Sequence, residues 1–327
     1  MHPKLKLLIL IKPFGKKYTK QKGKYDFFET LTNYADCMFW HEDGDIRDIL
    51  KNISFTPDFI FHYDIAWNYR FAPKITGLSK INIPKGCLVI DTHYSPKKRR
   101  RYFQKRKVDL IFSVTKYPFL AEFPEYKDKF RWLPFSINPH VYKDWGLEKS
   151  IKYLLMGQFY CEGLKNPPKR IPPKGRYPFR EEVFRIMNKY ERENFVFHPH
   201  PGHYTRSKKA MVDLNYAQEL NRACIFFTCG GIFKYPVLKF FEALACKTLL
   251  LAETNPDIEE LGFQDGVHFV ACTTNDFYHK AKYYAEHERE RMRIAEAGYR
   301  FVHQHHTHEV RAKQLIDYIT QYVGRSL

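Results

Sequence analysis

Short apolar runs and helical stretches take turns along the whole chain, and that rhythm restricts the fold more than any other feature. An apolar run of strand length followed by a longer stretch of helical spacing marks a β-strand that returns through a helix to a parallel neighbour. In the first half, strands are expected at residues 5–11, 35–40, 59–62, 87–91, 110–113 and 132–135, with helices at 24–34, 45–53 and 96–106. Residues 138–150 turn polar and irregular, which is where a linker is expected. The alternation then resumes, with strands at 153–156, 194–197, 224–228 and 248–252 and helices at 180–190, 216–221 and 239–245. Two charged helices, 275–287 and 288–304, precede an amphipathic one at 307–322. The fold class is therefore α/β, with lobes at 1–145 and 146–306 and a closing segment, 307–327, whose apolar positions support a packed helix without saying which lobe receives it. Sheets of this kind bind ligands at the carboxyl ends of their strands.

The 327 residues are 44% hydrophobic and 17% aromatic, enough for two cores and the opposite of a disordered composition. No run approaches the roughly 20 apolar residues of a membrane-spanning helix. The early LLILI is five residues long and is followed by Lys12, so it reads as a first buried strand and not as a leader. Seven scattered cysteines without a CxxC pair point to reduced thiols and a cytoplasmic setting.

The formal charge of +18 favours anionic partners: a nucleotide-sugar, a polyanionic glycan, nucleic acid or an acidic membrane surface. Basic residues concentrate at 97–101 (KKRRR) and 165–180, as solvated faces or as anion contacts. No nucleic-acid reading motif accompanies them.

The most informative stretch follows the strand at 224–228. Gly230 and Gly231 permit unusual backbone angles and a close approach of main chain to ligand. Pro236 suits the first turn of the next helix, whose free N–H groups would face an anion. Lys239 and Glu242, three apart, share one face of that helix. A lysine for phosphates and a carboxylate able to bridge two ribose hydroxyls are what a nucleoside diphosphate requires.

This stretch resembles the C-terminal donor lobe of GT-B glycosyltransferases, in the group-1-like family that includes the spore proteins CgeB and YkvP. The resemblance continues through NPDIEE at 255–260, GFQDGVHFV at 262–270, RMRIAEAG at 291–298, and His306 with Arg311. It reaches the first half more loosely, through PDFIFH at 57–62 and DTHY at 91–94. It implies two Rossmann-like lobes with a cleft and a C-terminal crossover helix. It further implies sugar transfer from a UDP- or other nucleotide-sugar, with no required metal and no other cofactor. Glu242 would contact the ribose and Lys239 the diphosphate, with Gly230, Gly231, Lys234 and Tyr235 forming the turn before them. Many related enzymes that retain anomeric configuration carry an acid eight positions before the ribose glutamate, where this chain has Lys234. That departure keeps open a binding or coat-type protein that has lost transfer. The KKRRR run keeps open a glycosyltransferase that modifies DNA.

Other candidates surround this core. FHPHPGHY at 197–204 could supply a metal pair, a structural turn, or a histidine (His198) beside the donor phosphates, and no third metal ligand follows at the usual spacing. Lys165, Arg170 and Arg180 are further candidates for the diphosphate. In the first half His62 with Asp64, and Asp91 with His93, end predicted strands, where a general base for an acceptor hydroxyl belongs. His93 is the first choice and Asp64 the second. Asp43-Gly44-Asp45 imitates the DxD metal motif, but Asp45 stands where it would cap a helix.

Overall fold

The computed structural model describes residues 4–161, 171–202 and 210–325. The chain divides into two compact units, one of residues 1–17, 24–134 and 309–327, the other of residues 18–23 and 135–308. The boundary expected near residue 145 therefore lies at 134. Ile137 and Tyr142 are buried in the core of the second unit, and Ile137 donates to the His306 carbonyl.

The first unit is built on six parallel strands: β1 (Lys6–Leu10), β2 (Asp36–Trp40), β3 (Phe59–His62), β4 (Lys85–Val89), β5 (Leu110–Ser113) and β6 (Phe130–Trp132). Their order is β2-β1-β3-β4-β5-β6, so the winding reverses between β1 and β3. Helices α1 (Lys22–Thr30), α2 (Ile46–Asn52) and α3 (Pro96–Arg106) lie between the strands in sequence. Asp45 caps α2, accepting from the Arg47 N–H at 3.1 Å, which disposes of the DxD imitation. Leu7 to Leu10 and Phe59 to Phe61 are wholly buried, as strands covered on both faces must be.

The second unit has strands β7 (Ile151–Gly157), β8 (Phe195–Pro199), β9 (Ala223–Thr228), β10 (Leu249–Ala252) and β11 (Val270–Ala271), all parallel, in the order β8-β7-β9-β10-β11. Its winding reverses between β7 and β9. Helices α4 (Pro178–Tyr190), α5 (Asp213–Arg222), α6 (Leu238–Ala245), α7 (Pro256–Glu260), α8 (Phe277–Glu286) and α9 (Glu288–His305) accompany the sheet. Burying each leucine of β10 contributes about 1.5–3 kcal/mol.

The last helix, α10 (His308–Arg325), lies almost wholly in the first unit. There Arg311 donates to the Pro134 carbonyl at 3.1 Å and Gln314 to that of Trp132 at 3.3 Å. No helix among the described residues is long and apolar enough to cross a membrane.

Sequence reasoning did not anticipate one local feature. Trp67, Asn68 and Tyr69 adopt left-handed angles in succession, with φ of 52°, 55° and 58°. Each such residue costs roughly 1–2 kcal/mol, so its surroundings must hold the turn in place.

Candidate active site

Reversal of winding leaves a crevice at the carboxyl ends of the flanking strands, and in the second unit that crevice opens between β7 and β9. Two cations meet there. The ammonium of Lys239, from the first turn of α6, donates to the Met156 carbonyl at 2.7 Å. It fits because residue 157 is glycine: a Cβ there would lie 2.7 Å from the Lys239 nitrogen. Arg180, from the first turn of α4, donates to the Cys229 carbonyl at 2.5 Å and to Thr228 Oγ1 at 3.3 Å, at the end of β9. Its Nε has no partner. Burial holds the Lys239 ammonium well below the usual lysine range, Arg180 and Lys20 lower it further, and Glu242 opposes them. Lys20 comes from the 18–23 segment, where it lies over the Tyr216 ring at 4.9 Å. Cations gathered this closely are poised for an anion.

Glu242 stands one turn beyond Lys239 and is only 3% exposed. The buried hydroxyls of Tyr142 and Tyr216 lie beside it, and both are pushed well above the usual tyrosine range, first by burial and then by this carboxylate. The two tyrosine hydroxyls face the Glu242 carboxylate, whose Oε2 is buried without a hydrogen bond of ordinary geometry. A buried carboxylate oxygen left unpaired costs free energy unless a ligand satisfies it.

The glycine turn serves packing as well as access. A Cβ on Gly230 would come within 2.4 Å of the Tyr235 backbone, and one on Gly231 within 2.6 Å of the Arg176 carbonyl. Pro236 corrects an expectation: it lies outside α6, before the N-cap residue Val237. Lys234 is exposed, and Tyr235 is buried.

Beyond β9, β10 and β11 opens a cavity of about 540 Å³, bounded by Gly230, Gly231, Lys234, Glu253, Asn255 and Thr273 among others. Glu253 was missed in the sequence. It is half-buried, and burial raises its carboxyl above the usual range against the opposing pull of Arg180, a Cys229 hydrogen bond and Lys234. The available signal was its position, the first residue after the apolar strand β10.

Several expected residues have other partners. His198 Nε2 lies 2.6 Å from Glu219 Oε1 on α5, so this ring is held by a carboxylate. The hydrogen bond from His198 holds that carboxyl below its usual range. Lys165, Arg170 and the end of the histidine turn lie outside the described residues. Among the described residues no three His, Cys, Asp or Glu side chains are placed to hold a metal.

In the first unit Asp64 is wholly buried and takes both its oxygens to the Arg99 guanidinium, at 2.9 and 2.6 Å. It also accepts from the N–H groups of Ala66 and Ile90. A carboxylate so occupied is no general base, which corrects that expectation. His62 is buried too: Nε2 donates to the Pro73 carbonyl at 2.9 Å, leaving Nδ1 to accept from the Tyr102 hydroxyl at 2.6 Å. Asp91 offers its carbonyl to Arg99 and to the Tyr94 N–H, while His93 in the same turn is half-buried. The KKRRR run is also partly spent internally, with Arg99 buried on Asp64 and Arg100 paired with Glu122 at 3.0 Å and Glu125 at 2.7 Å.

Residues 180–317 match a family model described as glycosyl transferase-like, a span that opens on Arg180 and contains the glycine turn, Lys239 and Glu242. No curated protein matches the sequence. Solved structures share the fold at low identity. A glycosyltransferase from Rickettsia africae aligns over 99% of this chain and 100% of its own, with 10% identity and a TM-score of 0.62. Sucrose-phosphate synthase from Thermosynechococcus elongatus aligns over 98% and 100%, with 9% identity and a TM-score of 0.61. HepE of Anabaena, solved in complex with UDP and glucose, aligns over 97% and 100%, with 11% identity and a TM-score of 0.58. These likenesses define the fold as GT-B, with a glycosyl transferase-like segment over residues 180–317. The family match falls on the second unit from Arg180 onward and on the first half of α10, which belongs to the first unit.

Proposed function

We propose that this chain transfers a sugar from a nucleoside-diphosphate sugar to an acceptor hydroxyl, without requiring a metal, and that the donor binds in the second unit. The observation that carries the reading is the meeting of Arg180 and Lys239 at the β7–β9 crevice, with an unsatisfied, buried Glu242 one helical turn away. In this reading the two cations take the diphosphate and Glu242 takes the ribose hydroxyls. The transferred sugar lies toward Glu253, in the cavity beside Arg180. A UDP-sugar is the first donor to test, since HepE has been solved with UDP-glucose.

During transfer the bond from the anomeric carbon to the β-phosphate oxygen breaks, and its electron pair leaves on the diphosphate. Arg180 and Lys239 stabilise that developing charge where it appears, the role a divalent cation plays elsewhere. The acceptor oxygen bonds to the anomeric carbon and gives up its proton. If configuration is inverted, His93 is the base that takes it, now that Asp64 is committed to Arg99.

A panel of nucleotide-sugars screened by thermal shift tests the donor. One selective nucleotide-sugar should raise the Tm in a concentration-dependent way, by mass action. A flat response across UDP-, GDP-, ADP- and CMP-sugars at millimolar concentration would overturn the proposal.

A further inference from the structure

The crevice of the first unit carries a construction that donor binding does not use. Its winding reverses between β1 and β3, so the loops leaving those strands and the adjacent β4 border the place where ligands of such sheets sit. The loop after β3 carries the left-handed triplet Trp67–Asn68–Tyr69, and the loop after β4 carries Tyr94. Trp67 and Tyr94 stack on each other, with ring centroids 5.6 Å apart and planes at 29°. Phe71 packs edge-on against Trp67, and Tyr94 keeps 40% of its surface exposed.

Both loops are fixed from beneath by one buried ion pair. Asp64 accepts from the Ala66 N–H on the first loop and the Ile90 N–H on the second, and its partner Arg99 also binds the Asp91 carbonyl. The loop after β1 joins them, with the Lys12 ammonium donating to the Tyr69 carbonyl at 3.3 Å. A strained turn that places an aromatic ring at a ligand crevice, held by a buried clamp, is a construction to expect at a binding site. Charge indicates what binds. Lys98 lies over the Tyr69 ring at 4.8 Å, with Lys74 near it, while Asp43 is the carboxylate paired to Lys12.

We propose that the Trp67–Tyr94 pair is a saccharide subsite, taking the apolar face of a pyranose ring on the exposed face of Tyr94 and an anionic substituent toward Lys98 and Lys74. The saccharide is the acceptor, and only that word depends on the sugar-transfer reading. A uronate and a sugar phosphate share the required chemistry. A nucleic acid is disfavoured because Arg99 and Arg100 of the neighbouring basic run are committed to carboxylates, which withdraws two of its cations from a phosphodiester backbone.

The test uses the full chain and follows tryptophan emission during titration. The probes are hyaluronan tetrasaccharide and tetragalacturonate for the uronate, pentamannosyl phosphate for the phosphate, neutral chitotetraose, and oligothymidylate. At least one anionic saccharide should bind, more tightly than chitotetraose, and Tyr94→Ala should weaken it tenfold or more while Tyr94→Phe retains it. Trp67→Phe should remove most of the emission change. Parallel UDP titrations should give the same affinity in wild type and Tyr94→Ala. Loss of UDP binding in the wild type would count against the donor proposal and leave this one standing. The subsite is refuted if no anionic saccharide binds, if Tyr94→Ala binds as wild type does, or if oligothymidylate outcompetes every saccharide.

Discussion

Replacing Lys239 with methionine separates a residue that serves a ligand from one that serves the fold. In the free protein the ammonium is desolvated and repelled by Arg180 and Lys20, with a backbone carbonyl as its hydrogen-bond partner. Methionine keeps the apolar stem and removes the charge, so the free protein should lose no stability and could gain about 1 kcal/mol, as at other sites that trade stability for function. Ligand binding should move the other way. A charge-assisted hydrogen bond to a phosphate contributes about 1.5–3 kcal/mol, so UDP affinity should fall between about tenfold and 150-fold.

The pH dependence adds a sign. With its pKa depressed in the folded state, Lys239 is neutral there and charged in the unfolded chain between its lowered value and the usual 10.5. The unfolded state binds the extra proton in that window, so this contribution raises stability as pH rises through it and is lost as pH falls. A bound diphosphate restores the charge, so wild-type protein should take up protons on binding UDP near or above the depressed value. Calorimetry in buffers of different ionisation enthalpy reads that uptake directly, and Lys239→Met should abolish it. A variant that melts several degrees lower, yet binds UDP as wild type does, would refute the reasoning.

Three further substitutions probe other parts of the structure. Glu242→Gln removes a buried charge lacking one partner, so thermal unfolding should show unchanged or higher stability while calorimetry shows UDP affinity reduced about tenfold or more. Asp64→Ala leaves Arg99 buried and alone and should cost about 3–5 kcal/mol in denaturant unfolding, whereas the double change Asp64→Leu with Arg99→Met should cost much less. Burial holds His62 at about 4 against an ordinary 6.5, so its contribution is complete above pH 6.5 and is lost as pH falls toward 4. That loss is about 3 kcal/mol, and His62→Gln should flatten the stability profile across the same window.

Much of the scaffold was legible because parallel strands buried on both faces read as unbroken apolar runs. LLIL, FIFH and LLLA each mark one. The glycine turn and the Lys239–Glu242 spacing were legible for the same local reason: backbone freedom and helical periodicity are written in neighbouring residues. What failed were side-chain readings that depend on distant partners. Asp64 and Arg99 are 35 positions apart, so a run of five basic residues gave no sign that one of them is buried. His62 ends its strand as a catalytic residue might, and only Tyr102 and Pro73, brought by other elements, show it to be structural. The left-handed turn at Trp67–Tyr69 was equally hidden, since none of its residues is a glycine and tertiary contacts impose the angles.

The central claim is that the cations at the β7–β9 crevice serve transfer of a sugar from a nucleotide donor. Release of free nucleoside diphosphate from the donor chosen by thermal shift, measured with and without EDTA, tests it most directly. Wild-type protein should release the diphosphate at the same rate in both conditions, and Arg180→Ala and Lys239→Met should slow release by a hundredfold or more. No release above the uncatalysed rate, or full release by both variants, would contradict it.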